Sequence, residues 1–309
     1  MNLLITGAWK NAKKFIEKIE LKGHEVVFMQ YEKDKLPCSY EWVEGVIGNG
    51  LFLTHDIKKF INLKYIQLTS AGYDRVPMEY IKEHSITIYN AKGVYSIPMA
   101  EFAVAGVLQI YKQMQIFADN QKQHIWEKQR NLLELYGKKV CIVGCGSVGT
   151  ECAKRFQAFG CEVFGIDPFV YENEYFDLIF RLDKLEEILK ESDIIVLTLP
   201  LTKDTEYLMD EDKLQRMKEG SILVNIARGE ILQTEALIKV LPKLKGAVLD
   251  VFEKEPISRD SVIWNMENVV ITPHNSFVSD KNNTRLDRVI LSNLIRRQHE
   301  EKRFFENVK

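Results

Sequence analysis

The sequence predicts an α/β fold built on two parallel sheets, and three observations predict it. Short apolar runs of strand length alternate with amphipathic stretches along most of the chain, so each strand reaches the next through a crossover and the strands lie parallel. The alternation is broken once, by a long apolar helix and a polar, aromatic-dotted segment, and then restarts, which separates two sheets. At 309 residues the chain also exceeds the usual size of a single hydrophobic core.

The first sheet is predicted from "LLIT", "EVVFM", "GVIG", "YIQLT" and "ITIYN". A lysine-rich helical segment joins the first two runs, "THDIKKFINL" is expected to be a helix between the third and fourth, and "VPMEYIKEH" another before the fifth. These elements describe a small flavodoxin-like unit. The glycine after the first run, in "LLITGAWKNA", has no second and third glycine at dinucleotide spacing, so it is expected to be a structural turn.

"SIPMAEFAVAGVLQIYKQM" follows as one long helix, with Ser96 as its cap and Pro98 in its first turn, and it opens the second domain. After the segment Phe117 to Tyr136, six runs of strand length appear: "KKVCIVG", "CEVFGID", "SDIIVLTLP", "GSILVNIA", "GAVLD" and "NVVITP". They predict a doubly wound, Rossmann-like sheet. A last helix over residues 280–300 is expected to pack back on the first unit. The first domain is then discontinuous, 1–97 and 277–309, with the second domain, 98–276, inserted into it and a cleft between them.

Composition narrows the function. Hydrophobic residues at 46% and charged residues at 28% are globular proportions, and a net charge of -2 supplies no field for a nucleic acid or an anionic membrane. The N-terminal "MNLLITGAWKNAKK" has too short an apolar run for a signal peptide or a spanning helix, so a cytoplasmic protein with no membrane or nucleic-acid partner is expected. Five cysteines without metal-ligand spacing predict reduced thiols in packing roles and no metal.

"CIVGCGSVGTECAKRF" sets Gly144, Gly146 and Gly149 in GxGxxG spacing between a strand and an amphipathic helix. The first glycine permits a tight turn, the second lets a pyrophosphate approach the backbone, and the third lets helix and strand pack closely. The N–H groups that open the helix, around Ser147 and Val148, then face the phosphates. Asp167 ends the next strand roughly 20 residues on, where its carboxylate suits both ribose hydroxyls and repels a 2'-phosphate, so the cofactor is expected to be NAD. An Asp-Pro turn with Asp167 as a helix cap is the competing structural reading.

Ligands of such sheets sit at the carboxyl ends of the strands. Arg228 follows "ILVNIA", Glu255 follows "GAVLD" and His274 follows "VVITP". Arginine keeps its charge and can clasp a carboxylate with two parallel hydrogen bonds, which suits a 2-oxo or 2-hydroxy acid. A histidine with a carboxylate partner has a fixed tautomer and can exchange a proton with an alkoxide. Beside a nicotinamide, these groups describe reversible hydride transfer.

The ordered pieces "LTSAGYD", "AEFAVAGVL", "ELYGKKVCIVGCGSVG", "SDIIVLTLPLTKDT", "NIARGEIL", "GAVLDVFEKEP" and "TPH" resemble the D-specific 2-hydroxyacid dehydrogenases over nearly the whole length. The resemblance implies that Arg228 holds the substrate carboxylate and polarises the carbonyl, that His274 is the acid/base, and that Glu255 is its partner. It implies substrate contacts from the backbone N–H groups of Ala71 and Gly72 and from Tyr73, and a nicotinamide carboxamide contact from Asp250. Thr198, Pro200, Thr205 and Ala227 line the cofactor, and the arm from Phe117 to Tyr136 helps to form a homodimer. Hinges fall near 95–98 and 276–280.

Departures from the family pattern narrow the substrate. Many members carry a histidine where Thr198 stands, and a basic residue where this chain has Asn49 and Gly50. A phosphorylated acid is then less well served, unless Arg75 or Lys92 substitutes. Tyr73 and Tyr95 point either to a bulkier, partly apolar R group or to plain packing. Two alternatives stay open: a phosphoglycerate-type dehydrogenase, and a non-catalytic NADH-sensing, corepressor-like interaction protein.

Overall fold

The computed structural model describes residues 1–307, with side chains described through residue 297. It divides into two compact units, Met1–Tyr95 with Ser279–Lys309, and Ser96–Val278.

In the first unit β1 (Asn2–Thr6), α1 (Ile16–Glu20), β2 (Glu25–Met29), β3 (Gly45–Gly48), β4 (Tyr65–Leu68), α2 (Met78–Glu83) and β5 (Thr87–Tyr89) build one parallel sheet, ordered β2-β1-β3-β4-β5. Its strands are apolar on both faces because both faces are covered. Leu4, Val46 and Ile66 pack on the side of Ile81 from α2, whereas Leu3, Ile5, Ile47 and Tyr65 pack on the side of Ile19 from α1. The C-terminal helix joins the second side through Leu286, Ile290 and Leu294. It is tied there by Asp287, which accepts from Trp9 Nε1 at 2.6 Å and Asn11 Nδ2 at 2.8 Å, and by Asn293 Nδ2, which donates to the buried Gln67 at 2.8 Å. The expected return of this helix onto the first unit is therefore observed.

Gly7 is the structural turn expected of it: a Cβ there would lie 2.4 Å from the Gln30 carbonyl oxygen, so the turn after β1 packs directly on the end of β2. The helix expected over "THDIKKFINL" is absent. A single 3-10 turn, Ile57–Lys59, stands there, capped by Asp56, whose carboxylate accepts from Lys58 N at 3.0 Å. The buried residues Ile57, Phe60 and Leu63 recur every third position, the period of a 3-10 turn, and Asp56 places a cap inside the stretch.

The second unit opens with α3 (Ser96–Tyr111) and α4 (Met114–Lys122). A doubly wound run follows: β6 (Lys139–Val143), α5 (Ser147–Ala158), β7 (Glu162–Ile166), β8 (Leu178–Phe180), α6 (Leu185–Glu191), β9 (Ile194–Leu197), α7 (Glu211–Arg216), β10 (Ile222–Asn225), α8 (Thr234–Val240), β11 (Gly246–Leu249) and β12 (Val269–Ile271). The strands form one parallel sheet, ordered β12-β11-β10-β9-β6-β7-β8. Val140, Ile142, Val196 and Val224 pack on α3 and α5, while Cys141, Val143, Ile195 and Leu223 pack on the opposite face with α6, α7 and α8. Gly106 lets α3 lie against β11, since a Cβ there would be 2.6 Å from a Val248 methyl.

Two expectations are corrected. The sheet has a seventh strand, β8, a three-residue edge element too short to stand out as an apolar run. Ser96 is the first helical residue and not a cap outside the helix, because the turn closed by Val94 N on Ala91 O already brings the chain round. The C-terminal helix is α9, Asn282–Asn307. All five cysteines are free thiols, and burial pushes Cys145 and Cys152 up to about 12 and Cys161 up to about 11, which leaves them unreactive packing residues.

Candidate active site

The turn between β6 and α5 has the shape its glycines predict. Gly144 sits at φ +100°, and a Cβ there would lie 2.8 Å from Leu199 N; a Cβ on Gly149 would lie 2.0 Å from the Gly144 carbonyl oxygen. Gly146 has no atom within 4 Å of its missing Cβ, so the middle of the turn faces open space. Thr150 N is the first to bond within the helix, to Gly146 O at 2.9 Å, which leaves the N–H groups of Ser147, Val148 and Gly149 outside the helical ladder. A cradle with free donors at the positive end of a twelve-residue helix fits a dinucleotide pyrophosphate.

The residues around this turn brace it. Thr198 Oγ1 donates to Gly144 O at 2.6 Å, and Thr205 Oγ1 donates to Pro200 O at 2.7 Å, closing the loop after β9. Asp167 is buried, and its carboxylate accepts from Cys145 N at 2.8 Å, Phe169 N at 2.8 Å and Val170 N at 2.9 Å. Asp167 thus shapes the turn after β7, though no helix follows for it to cap, and it ties the end of β7 to the glycine loop; Oδ2 serves one donor and Oδ1 two.

The three reactive side chains follow three neighbouring strands: Arg228 after β10, Glu255 after β11 and His274 after β12. His274 Nδ1 lies 2.9 Å from Glu255 Oε2. Glu255 is itself fixed, because its Oε1 accepts from Phe252 N at 3.1 Å. With Nδ1–H donating to the carboxylate, Nε2 is left as the proton-exchanging atom, and it makes no hydrogen bond among the described residues. The imidazole stands edge-on to Phe277, with ring centroids 6.0 Å apart.

Arg228 is half-buried and braced by its own loop: its Nη1 donates to Ala227 O at 2.8 Å, and its carbonyl accepts from Asn225 Nδ2 at 3.0 Å. The buried Asn225 also accepts from Ala227 N at 3.1 Å, so it shapes the turn that presents Arg228. Gly229 draws the Arg228 loop onto the Glu255 loop, since a Cβ there would lie 1.9 Å from the Phe252 carbonyl carbon. Asn225 and Gly229 escaped the sequence reading, although the asparagine ending a buried strand and the glycine in "ARG" were their signals.

Asp250 stands at the carboxyl end of β11. It is 1% exposed, and its carboxylate accepts from Thr272 Oγ1 at 2.7 Å, Asn275 N at 2.7 Å and Ser276 N at 3.0 Å. Its carbonyl accepts from His274 N at 2.8 Å, so Asp250 builds the loop that holds His274 at φ 51°. In the first unit, Ala71, Gly72 and Tyr73 form an exposed loop after β4; the N–H groups of Ala71 and Gly72 donate to nothing among the described residues, while Asn90 Nδ2 pins Ala71 O at 2.6 Å. Tyr95 donates its hydroxyl to Thr69 O. Burial raises the Tyr73 phenol above its ordinary range.

A glycine cradle at a helix start and an imidazole–carboxylate pair at adjoining strand ends of the same sheet are the marks of a nicotinamide-dependent oxidoreductase. The model of the D-isomer-specific 2-hydroxyacid dehydrogenase NAD binding domain matches residues 104–276, and the chain belongs to that family. It is 34% identical over 257 residues to a hydroxypyruvate reductase of Thermotoga maritima, covering 81% of this chain and 83% of that protein. A D-3-phosphoglycerate dehydrogenase of Methanocaldococcus jannaschii is 33% identical over 234 residues; the match covers 74% of this chain but only 44% of that longer protein. The crystal structure of a D-isomer-specific 2-hydroxyacid dehydrogenase family protein from Aeromonas salmonicida superposes with a TM-score of 0.83 and 27% identity, covering 97% of this chain and 96% of that one.

Proposed function

We propose that the protein interconverts a 2-oxo acid and a D-2-hydroxy acid with NAD(H). The observation that carries this reading is the 2.9 Å bond between His274 Nδ1 and Glu255 Oε2 on the sheet that also carries the glycine cradle. NAD(H), when bound, supplies or accepts the hydride. Gly144, Gly146, Ser147, Val148 and Gly149 hold its pyrophosphate, Asp167 accepts from its ribose, and Thr198, Pro200, Thr205 and Ala227 line the rest.

Arg228 clasps the substrate carboxylate and draws electron density from the carbonyl, as a planar guanidinium does better than an ammonium. His274 Nε2 gives its proton to the carbonyl oxygen during reduction and takes it back during oxidation. Glu255 keeps the tautomer fixed and stabilises the charged imidazole. Asp250 positions the His274 loop. The first unit contributes the substrate side, with the N–H groups of Ala71 and Gly72 as carboxylate donors and Tyr73 beside the R group.

The arm supports a homodimer: Trp126 is 98% exposed, Tyr136 is 79% exposed, and a groove of about 880 Å³ lined by Phe117, His124, Ile125 and Trp126 runs along it. Covering that apolar surface with a second copy removes it from water. NAD dependence and five free thiols support a cytoplasmic setting.

The test is steady-state oxidation of NADH with a panel of branched, aromatic, hydroxylated and phosphorylated 2-oxo acids. Turnover of at least one unphosphorylated acid is the expected result. Tight NADH binding without turnover of any acid would make the protein a sensor, and turnover confined to the phosphorylated acid would make it a phosphoglycerate-type enzyme.

A further inference from the structure

The first sheet reverses its winding between β1 and β3: the chain passes from β1 outward to β2 and then returns to the other side of β1. In sheets of this order the crevice at the carboxyl ends of those two strands is where a ligand sits. Here a side chain of the protein already stands at that edge. Glu32 accepts from Thr6 Oγ1 at the end of β1 at 2.8 Å, and from Asn49 N at 2.6 Å and Gly50 N at 2.7 Å just past the end of β3.

This arrangement is built. A Cβ on Gly48 would lie 2.6 Å from Glu32 Oε1, so only glycine at the end of β3 lets the carboxylate close on the loop. The Glu32 backbone is anchored as well: its carbonyl accepts from Thr54 Oγ1 at 3.0 Å and lies 3.0 Å from His55 Nε2, while His55 Nδ1 lies 3.0 Å from Tyr40 Oη. Glu32 makes no ion pair among the described residues, so its negative charge is met by neutral donors only. Asn49 Oδ1, buried and without a hydrogen-bond partner among the described residues, adds an acceptor to this edge. Arg75 and Lys92 follow β4 and β5 in the chain.

We propose that Glu32 determines substrate specificity by excluding 2-oxo acids that carry a second negative charge, such as a phosphate or sulfonate, and admitting those whose only anion is the reacting carboxylate. The inference rests on the dehydrogenase reading, which puts the substrate at the Ala71 and Gly72 loop after β4, the strand next to β3. The N–H groups of Asn49 and Gly50 are the donors that would seat a second anion, and Glu32 consumes both. Its fixed charge, within about 10 Å of the neighbouring strand end, also repels that anion, a penalty of about tenfold or more in kcat/KM.

The experiment compares hydroxypyruvate with 3-phosphohydroxypyruvate as substrates of the native protein and of Glu32→Gln, and titrates inorganic phosphate calorimetrically into the native protein and Glu32→Ala. The native protein should prefer hydroxypyruvate by about tenfold or more, Glu32→Gln should narrow the ratio through a lower KM for the phosphorylated acid, and only Glu32→Ala should bind phosphate saturably. Equal kcat/KM for the two acids in the native protein overturns the proposal without needing a folded variant. A ratio unchanged in a folded Glu32→Gln overturns it too, as does phosphate bound equally by the native protein. If no 2-oxo acid is turned over, the dehydrogenase reading fails, and the phosphate titration still decides whether Glu32 closes an anion site.

Discussion

Replacing Asp250 with asparagine tests how the His274 loop is held. The native carboxylate, 1% exposed, accepts from Thr272 Oγ1, Asn275 N and Ser276 N at 2.7, 2.7 and 3.0 Å. Asparagine keeps the shape but turns one oxygen into a donor, so at least one of these bonds becomes donor against donor in either amide orientation. A hydrogen bond to a buried charge contributes about 1.5–3 kcal/mol, and the remaining bonds lose their charge, so the loss is about 3 kcal/mol. His274 itself sits at φ 51°, a conformation costing about 1 kcal/mol or more, which those bonds sustain. At about 2–4 °C per kcal/mol, Asp250→Asn should lower the melting temperature of the second unit by about 6–12 °C. Calorimetry reads this directly, and amide exchange at Asn275 and Ser276 should speed up. Turnover should fall about tenfold or more as His274 leaves Glu255, with NADH affinity little changed. A variant that melts with the native protein and keeps those amides protected refutes the reasoning; a loss confined to NADH affinity returns Asp250 to the nicotinamide carboxamide.

The other predictions concern the cradle, the acid/base and acid stability. Gly149→Ala drives a Cβ to 2.0 Å from Gly144 O, so NADH binding followed by fluorescence should weaken by about tenfold or more. His274→Ala should cut kcat by about a hundredfold to ten-thousandfold with NADH affinity nearly native, and unchanged turnover removes it from the chemistry. Arg228→Lys should raise KM and lower kcat together, because a point charge cannot reproduce the fork; native kinetics in that variant would show the fork to be unused. Burial alone would raise the Asp193 carboxyl, but the hydrogen bonds from Lys218 Nζ at 2.7 Å and Lys139 N at 3.0 Å hold it below the usual carboxylate range. That stabilisation is present above the unfolded value of about 4 and is lost as pH falls through the lower folded value. Asp193→Asn should therefore destabilise the protein at neutral pH and flatten its acid unfolding curve below about pH 4; an acid limb identical to the native one refutes the assignment.

By itself the sequence determined what is local or periodic. The strand runs are apolar on both faces because helices cover both, and that pattern survives in the letters of "KVCIV" and "IIVL". The GxGxxG turn was legible because each glycine answers a clash or an opening that any such turn contains. Arg228, Glu255 and His274 were legible as strand-end residues, since the strand order of a doubly wound sheet brings their loops to one edge. The three-residue β8 was not, because so few residues set no clear period, and the 3-10 turn at Ile57 was not, because buried residues at every third position also suit an amphipathic helix. Tertiary structure alone decided how the polar side chains are spent. Asp250 and Asp167 turn to backbone donors of loops that only sheet pairing brings near, and Glu32 meets Thr6, Asn49 and Gly50 across two other strand ends. The physical reason is that a buried carboxylate takes whichever donors the fold delivers within about 3 Å, and those donors are set by which strands are neighbours, a relation that chain spacing does not carry.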